Sequence, residues 1–180
     1  IPGGIGINQT PGVTIGATVE LCQEAERLGY TRCWASDQGL DTRDVFVTLT
    51  AIALKTQKMT LGTGITHPYT RHPAVTASGI ASVNEISDGR AFLGLSAGGI
   101  DTLIPMSLER VKPLTAVREM VVTSRALFNG EVVHFNGQVV RMNGAHIDFG
   151  QPGIPIWIAG RGSKMISLGG ELADGVLLDF

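Results

Sequence analysis

The chain has 180 residues, of which 43% are hydrophobic, enough to bury one sizeable core. Its formal net charge of −2 gives no electrostatic basis for binding nucleic acid or an anionic membrane surface, and no apolar run approaches the roughly 18 residues of a membrane span. We therefore expect a single domain over residues 1–180, without nucleic-acid or membrane partners, and a cytoplasmic location.

Six short apolar segments are predicted to be β-strands, and helical patterns lie between them. The predicted strands are Gly4–Ile7, Arg32–Ala35, Met59–Gly62, Ala91–Leu95, Pro155–Ala159 and Gly175–Leu178. They are apolar on both faces, as buried parallel strands are. The alternating order fits either an eight-stranded (β/α) barrel or a doubly wound open sheet, and periodicity does not separate the two.

The first three helices have recognisable ends. Gly29 is expected to stop the first helix, Asp44 to cap the second, and His72-Pro73 to open the third. The apolar stripes of these helices are Leu21, Ala25 and Leu28, then Val45, Leu49 and Ile52, then Ile80, Val83 and Ile86.

The connection between the fourth and fifth strands is predicted to be an insertion, over about residues 100–153. It contains a helical pattern from Leu114 to Phe128 that ends at Gly130. The following segments, Val132–Phe135 and Gln138–Met142, flank Asn136-Gly137, a dipeptide typical of a type I′ hairpin.

Cysteine and histidine spacing argues against metal or disulfide chemistry. Cys22 and Cys33 are predicted to be buried free thiols, because the sequence has neither a disulfide framework nor a metal-ligand spacing. His67 and His72 have no further ligands at workable spacing, so we predict no metal site.

Candidate functional residues follow the carboxyl ends of the predicted strands, which converge on one mouth in either architecture. They are Asn8, Asp37, Gln38, Thr63 to His67, Ser96 to Gly99 and Gly160 to Lys164.

Three of these segments suggest binding chemistry, each with a structural alternative. Gly160–Lys164 runs into a helix and suits a phosphate, or is a tight turn with an ordinary N-cap Ser163. Gly62 and Gly64 suggest a bulge that a planar ring approaches, or a plain bend. Asp37 and Gln38 suit the edge of a heterocycle, or Asp37 serves as a helix cap or as an ion-pair partner of Arg43.

Taken together, these residues resemble the luciferase-like monooxygenase superfamily. Within it they are most similar to the branch that uses coenzyme F420, a deazaflavin, and there to the methylenetetrahydromethanopterin reductases. The matching blocks extend from about Glu24 to Leu178 and are AERLGYTRCWASDQ, RDVFVTLTAIALKT, LGTGITHPYTRHPAVTASGIAS, EISDGRAFLGL, VKPLTAVRE and PIWIAGRGSKMISLGGELADGVLL.

The resemblance implies an eight-stranded TIM barrel, of which this chain holds strands one to six, and we expect a fragment of a longer protein. It implies a cis peptide bond between Gly64 and Ile65. It also implies a homodimer and a small-molecule substrate. The cofactor-binding positions that it implies are Asp37, Gln38, Thr63, Gly64, Ile65, Thr66, Ser96, Ala97, Gly98, Ala159, Gly160, Arg161, Gly162 and Ser163.

Three positions depart from the family pattern. Gln38 stands where a histidine is common, and Asn8 and Gly99 stand where the reductase branch has acidic residues. Glutamine is not a general base, so no catalytic residue is assigned. The resemblance implies an F420-dependent oxidoreductase that transfers a hydride to or from a substrate other than the reductases' pterin. The alternatives are an FMN-dependent monooxygenase and a shortened barrel that binds a flavin without turnover.

Overall fold

The computed structural model describes the backbone of residues 6–8 and the whole of residues 12–178. The strands are β1 (Gly6–Asn8), β2 (Arg32–Ala35), β3 (Thr60–Thr63), β4 (Ala91–Leu95), β5 (Val133–Asn136), β6 (Arg141–Ala145), β7 (Ile156–Gly160) and β8 (Gly175–Leu178). The helices are α1 (Ile15–Arg27), α2 (Val45–Ala53), α3 (Pro73–Ile86), α4 (Ile100–Leu103), α5 (Pro113–Phe128) and α6 (Ser163–Leu172). Among these helices, none is long and apolar enough to cross a membrane.

The strand order distinguishes between the two candidate architectures. Six parallel strands form one sheet in the order β1-β2-β3-β4-β7-β8, so each strand pairs with the next one of the sheet along the chain. A doubly wound sheet reverses its order at a switch point, whereas a barrel winds in one direction. The winding is therefore that of the first six strands of a barrel.

The predicted strands agree closely with the observed ones. β2, β4 and β8 have the predicted bounds, and β3 and β7 begin one residue later than predicted. The first two residues of the predicted strand Gly4–Ile7 lie outside the described residues, and β1 continues to Asn8.

The predicted starts of α2 and α3 are also confirmed. The Asp44 carboxylate accepts the N–H groups of Phe46 and Val47 at 2.9 and 3.2 Å. The Nδ1 atom of His72 accepts the Ala74 N–H at 3.3 Å. These bonds satisfy backbone donors that the first turn of a helix leaves unpaired.

The core lies between the sheet and its helices. It includes the fully buried side chains of Leu49, Leu61, Ile80, Leu93 and Ile156. Burying a side chain of this size stabilises the fold by roughly 1.5–3 kcal/mol.

One predicted apolar stripe is wrong. Of its three members only Ala25 is buried, whereas Leu21 and Leu28 are 53% and 60% exposed; the other buried residues of α1 are Thr18 and Cys22. These smaller side chains form the face that packs inward. Ile86, the last member of the predicted α3 stripe, is 43% exposed.

Cys22 and Cys33 are buried and free, as predicted, with their Sγ atoms 3.6 Å apart.

The hairpin in the insertion also differs from prediction. β5 and β6 are antiparallel, but Asn136 pairs with Arg141, so the loop spans four residues rather than two. The cause is Glu119 of α5, whose buried carboxylate accepts the N–H groups of Gln138, Val139 and Val140 at 2.7–2.9 Å. The carboxylate organises a wider loop than a type I′ turn allows.

Candidate functional site

The carboxyl ends of the parallel strands surround a cavity of about 760 Å³, within the usual range for small-molecule sites. We call it the mouth cavity. Its lining residues are Trp34, Ser36, Asp37, Gln38, Asp41, Gly64, Ile65, His67, Gly99, Asp101, Thr102, Ala159, Arg161, Leu177 and Leu178.

A bulge after β3 forms one wall of the mouth cavity. Pairing with β4 resumes at Thr66, whose N–H donates to Gly94 O at 3.0 Å and whose carbonyl accepts from Ser96 N at 3.0 Å. The hydroxyl of Thr63 donates to Gly94 O at 2.6 Å and accepts from Gly94 N at 3.0 Å. Between the paired residues Gly62 and Thr66, the three residues Thr63 to Ile65 therefore lie opposite only two residues of β4. This is the predicted bulge rather than a plain bend.

The backbone of the bulge lies against the side chain of Trp34. A Cβ atom on Gly64 would lie 2.5 Å from the Trp34 Cβ, so a side chain larger than hydrogen does not fit without movement. The peptide bond between Gly64 and Ile65 is cis, as the family resemblance predicts.

Asp37 links the end of β2 to the bulge. Its carboxylate is buried and accepts a hydrogen bond from the Thr66 hydroxyl at 2.7 Å. The alternative role as a helix cap belongs to Asp44, which caps α2 and pairs with Arg71. Gln38 is exposed at the rim of the cavity, where its backbone N–H donates to the Thr42 hydroxyl at 3.2 Å.

His67 is buried in the wall of the mouth cavity, two residues beyond the bulge. It is 1% exposed, and neither of its ring nitrogens has a hydrogen-bond partner within residues 12–178. Burial lowers the pKa of His67, the Asp37 carboxylate opposes this effect and the Arg71 guanidinium adds to it. The imidazole is therefore uncharged at neutral pH.

The fourth-strand loop lies beside His67. Gly98 has a φ of +73°, and a Cβ atom on it would lie 3.0 Å from the His67 Cγ. Ser96, Ala97 and Gly98 are half-buried and do not line the mouth cavity, whereas Gly99 does.

The structure divides the predicted phosphate segment. Ala159 and Arg161 line the mouth cavity. Ser163 and Lys164 line a second cavity of about 460 Å³, between α5 and α6, together with Arg118. Gly162 is the N-cap of α6 and makes no side-chain cap bond, so the prediction of Ser163 as an N-cap is wrong.

Several lining residues are absent from the sequence prediction. Trp34 lies on β2 and Leu177 lies on β8. Side chains alternate between the two faces of a strand, so Trp34 is expected on the same face as Ser36, two residues later, which also lines the cavity. Asp101 and Thr102 belong to α4, a short helix for which the sequence pattern provides no clear signal.

Comparison with known proteins identifies the family. The sequence profile of the family described as luciferase-like monooxygenase matches residues 1–180. The chain belongs to this family.

Luciferase-like relatives include two reductases. The chain is 39% identical over 174 residues to the 5,10-methylenetetrahydromethanopterin reductase of Methanolobus tindarius, covering 97% of this chain and 53% of that protein. It is 43% identical over 155 residues to the reductase of the same name from Archaeoglobus fulgidus, covering 86% and 46%. The predicted resemblance is confirmed.

A solved luciferase-like structure confirms the fold. The coenzyme F420-dependent tetrahydromethanopterin reductase from Methanopyrus kandleri matches with a TM-score of 0.91 and 31% identity, covering 98% of this chain and 55% of that one. The chain thus spans about half the length of the relatives it matches.

Proposed function

We propose that the protein containing this chain is an F420-dependent oxidoreductase, which transfers a hydride between the deazaflavin and a small organic substrate. The observation that carries this proposal is the mouth cavity, built on the Gly64–Ile65 bulge, in a chain 39–43% identical to methylenetetrahydromethanopterin reductases. The structural relative with a TM-score of 0.91 is named as F420-dependent, which supports the choice of cofactor.

The residues of the mouth cavity fit a planar ring with an anionic tail. The bulge offers backbone rather than side chain next to Trp34, and Asp37 and Gln38 supply polar groups for the edge of a ring. Arg161 supplies positive charge for the tail. When bound, the deazaflavin supplies the hydride chemistry, while these residues bind it, orient it and exclude water.

The other predicted cofactor-binding positions contribute less directly to this proposal. Thr63 and Thr66 are fully buried on either side of the bulge and hold it through hydrogen bonds to Gly94 and Asp37. Ser163 lines the second cavity, and its contact with the cofactor stays a prediction. The homodimer and the cytoplasmic location remain predictions.

The first test is a fluorescence titration of the full-length protein with F420 and, separately, with FMN. Selective binding of F420 supports the proposal. Preference for FMN would instead support a monooxygenase. Binding of either cofactor without turnover would support a non-catalytic flavin-binding protein.

A charge variant makes this titration sharper. Arg161→Gln should weaken F420 binding about tenfold or more, the loss expected for a hydrogen bond to a charged group. Arg43→Gln, which changes an exposed arginine outside the mouth cavity, is the matched control. Equal affinity in both variants would remove Arg161 from the site.

A further inference from the structure

His67 differs from the other buried polar side chains that lack partners. Among the described residues, such atoms also occur in Thr48, Thr70, Arg71 and Thr76 and in one further hydroxyl, but only His67 lines the mouth cavity. A buried donor or acceptor without a partner costs stability, and in a native structure it calls for an explanation. A ligand in the mouth cavity would provide the missing partner.

The surroundings of His67 leave the orientation of its ring open. The ring packs beside Gly98, and its centroid lies 6.1 Å from that of Tyr69. A half-turn about the Cβ–Cγ bond exchanges Nδ1 with Cδ2 and Nε2 with Cε1. Because neither nitrogen is hydrogen-bonded within the described chain, this half-turn breaks no hydrogen bond. The ring can therefore turn a nitrogen toward a ligand.

The charges around His67 indicate what kind of group it binds. The Asp37 carboxylate, at the end of β2, lies near the ring and raises the pKa of the imidazole. The Arg71 guanidinium, in the loop before α3, lowers it. Arg110 donates to Gly98 O at 3.2 Å on the neighbouring loop. An anionic ligand group at His67 would be repelled by Asp37, whereas Arg161 offers such a group a cationic partner elsewhere in the cavity.

We infer that His67 is a ligand-contacting residue, whose uncharged imidazole hydrogen-bonds an uncharged polar group of the ligand, such as a carbonyl, an amide or a hydroxyl. The identity of that ligand rests on the proposed function. His67 thereby supplies an imidazole to a cavity in which Gln38 stands at the position where the family commonly has one.

The test compares His67→Phe with the wild type in the full-length protein. Phenylalanine fills a similar volume but removes both unpaired nitrogens. We expect the melting temperature of the ligand-free variant to be unchanged or higher, and its affinity for F420 to fall roughly fivefold or more, as for the loss of one hydrogen bond. His134→Phe, in the hairpin and away from the mouth cavity, should leave the affinity unchanged.

A second measurement does not depend on the variant folding. The ¹⁵N chemical shifts of the wild-type His67 ring should show a mixture of tautomers in the free protein and a single tautomer after F420 is added. A purely structural histidine would keep the same shifts in both states.

The outcomes separate this inference from the proposed function. Unchanged F420 affinity in His67→Phe together with unchanged ring shifts would overturn the inference and leave the proposed function standing. If the wild type binds FMN rather than F420, the proposed function fails, and a loss of FMN affinity in the variant still supports the inference. Failure to bind either cofactor would overturn both.

Discussion

The side chain of Glu119 holds a loop that lies 20 residues further along the chain. Its carboxylate accepts three backbone N–H groups, and Gly137 gives it room, because a Cβ there would lie 2.5 Å from the carboxyl carbon. Burial raises the pKa of Glu119, but the three N–H donors and the charge of Lys112 outweigh this effect, so the pKa lies below its usual range. A single ionised group thus pairs three backbone donors of the loop, which a bond from Gly137 N to Val140 O at 3.0 Å also closes.

We expect Glu119→Gln to reduce the free energy of unfolding by about 1–3 kcal/mol at pH 7. The amide NH₂ group replaces one of the two carboxylate oxygens, so the backbone N–H groups that this oxygen accepts lose their acceptor. The folded-state pKa is lowered, so the stabilisation is complete above the unfolded pKa of about 4.3 and is lost as the pH falls through the folded value. Urea unfolding at several pH values between 7 and 3 measures this.

In these unfolding experiments the difference between wild type and variant should shrink as the solution becomes more acidic. Glu109→Gln, which changes an exposed glutamate, is the control and should cost little at any pH. A difference that grows toward low pH would contradict the role assigned to the carboxylate.

At the scale of elements, the bulge after β3 is held from both sides. The hydroxyl of Thr63 takes part in the ladder with Gly94, and the hydroxyl of Thr66 donates to Asp37. Gly64 N donates to Ala35 O at 2.7 Å, which ties the bulge to β2 as well. A short segment therefore takes its shape from β2 and β4 together.

Gly64→Ala should abolish or strongly weaken ligand binding, because the added Cβ would push the bulge away from Trp34. F420 affinity and, in a Trp157→Phe background, the tryptophan fluorescence of the ligand-free protein measure the two parts of this effect. Gly170→Ala is the control, since a Cβ there meets nothing within 4 Å and alanine favours the helix. Wild-type affinity in Gly64→Ala would exclude the bulge from the binding site.

At the scale of the whole molecule, the two ends of the parallel sheet are built differently. At the amino ends, the Arg90 guanidinium donates to the carbonyl oxygens of Ala53, Thr56 and Met59 at 2.8–3.0 Å. The cavity at that end has about 320 Å³, less than half the volume of the mouth cavity. The sheet is therefore tied together at one end and open to ligands at the other.

We expect F420 to slow amide hydrogen exchange in the full-length protein only at the carboxyl ends of the strands. The affected segments should be 36–38, 64–67, 96–99 and 159–162, where the backbone borders the mouth cavity or its walls. Exchange in 55–58 and 87–90, at the opposite end, serves as the internal control. Protection confined to those two segments would place the ligand at the wrong end of the sheet.

How far the sequence predicts the structure differs from one element to another. Strand positions were predictable because a buried parallel strand is apolar on both faces. The inward face of α1 was not, since its packing uses Thr18, Cys22 and Ala25 rather than the larger Leu21 and Leu28. The hairpin loop was mispredicted because its acceptor, Glu119, is remote in sequence.

The candidate site shows the same division. The family resemblance predicted Asp37, Gly64 and Arg161, and all three line the mouth cavity. It also grouped Ser163 with them, although this residue faces a different cavity. His67 was recognisable as a residue beyond a strand end, but not as a buried ring without partners.

By itself, the sequence determined the succession of the parallel strands and longer helices, the caps of α2 and α3 and the family, because these depend on neighbouring residues and on motifs. Only the tertiary structure decided that the strands wind in one direction, that the bulge is held by Asp37 and Gly94, and that His67 is buried in the cavity wall. Each of these depends on contacts between residues that are far apart along the chain, which no local pattern records.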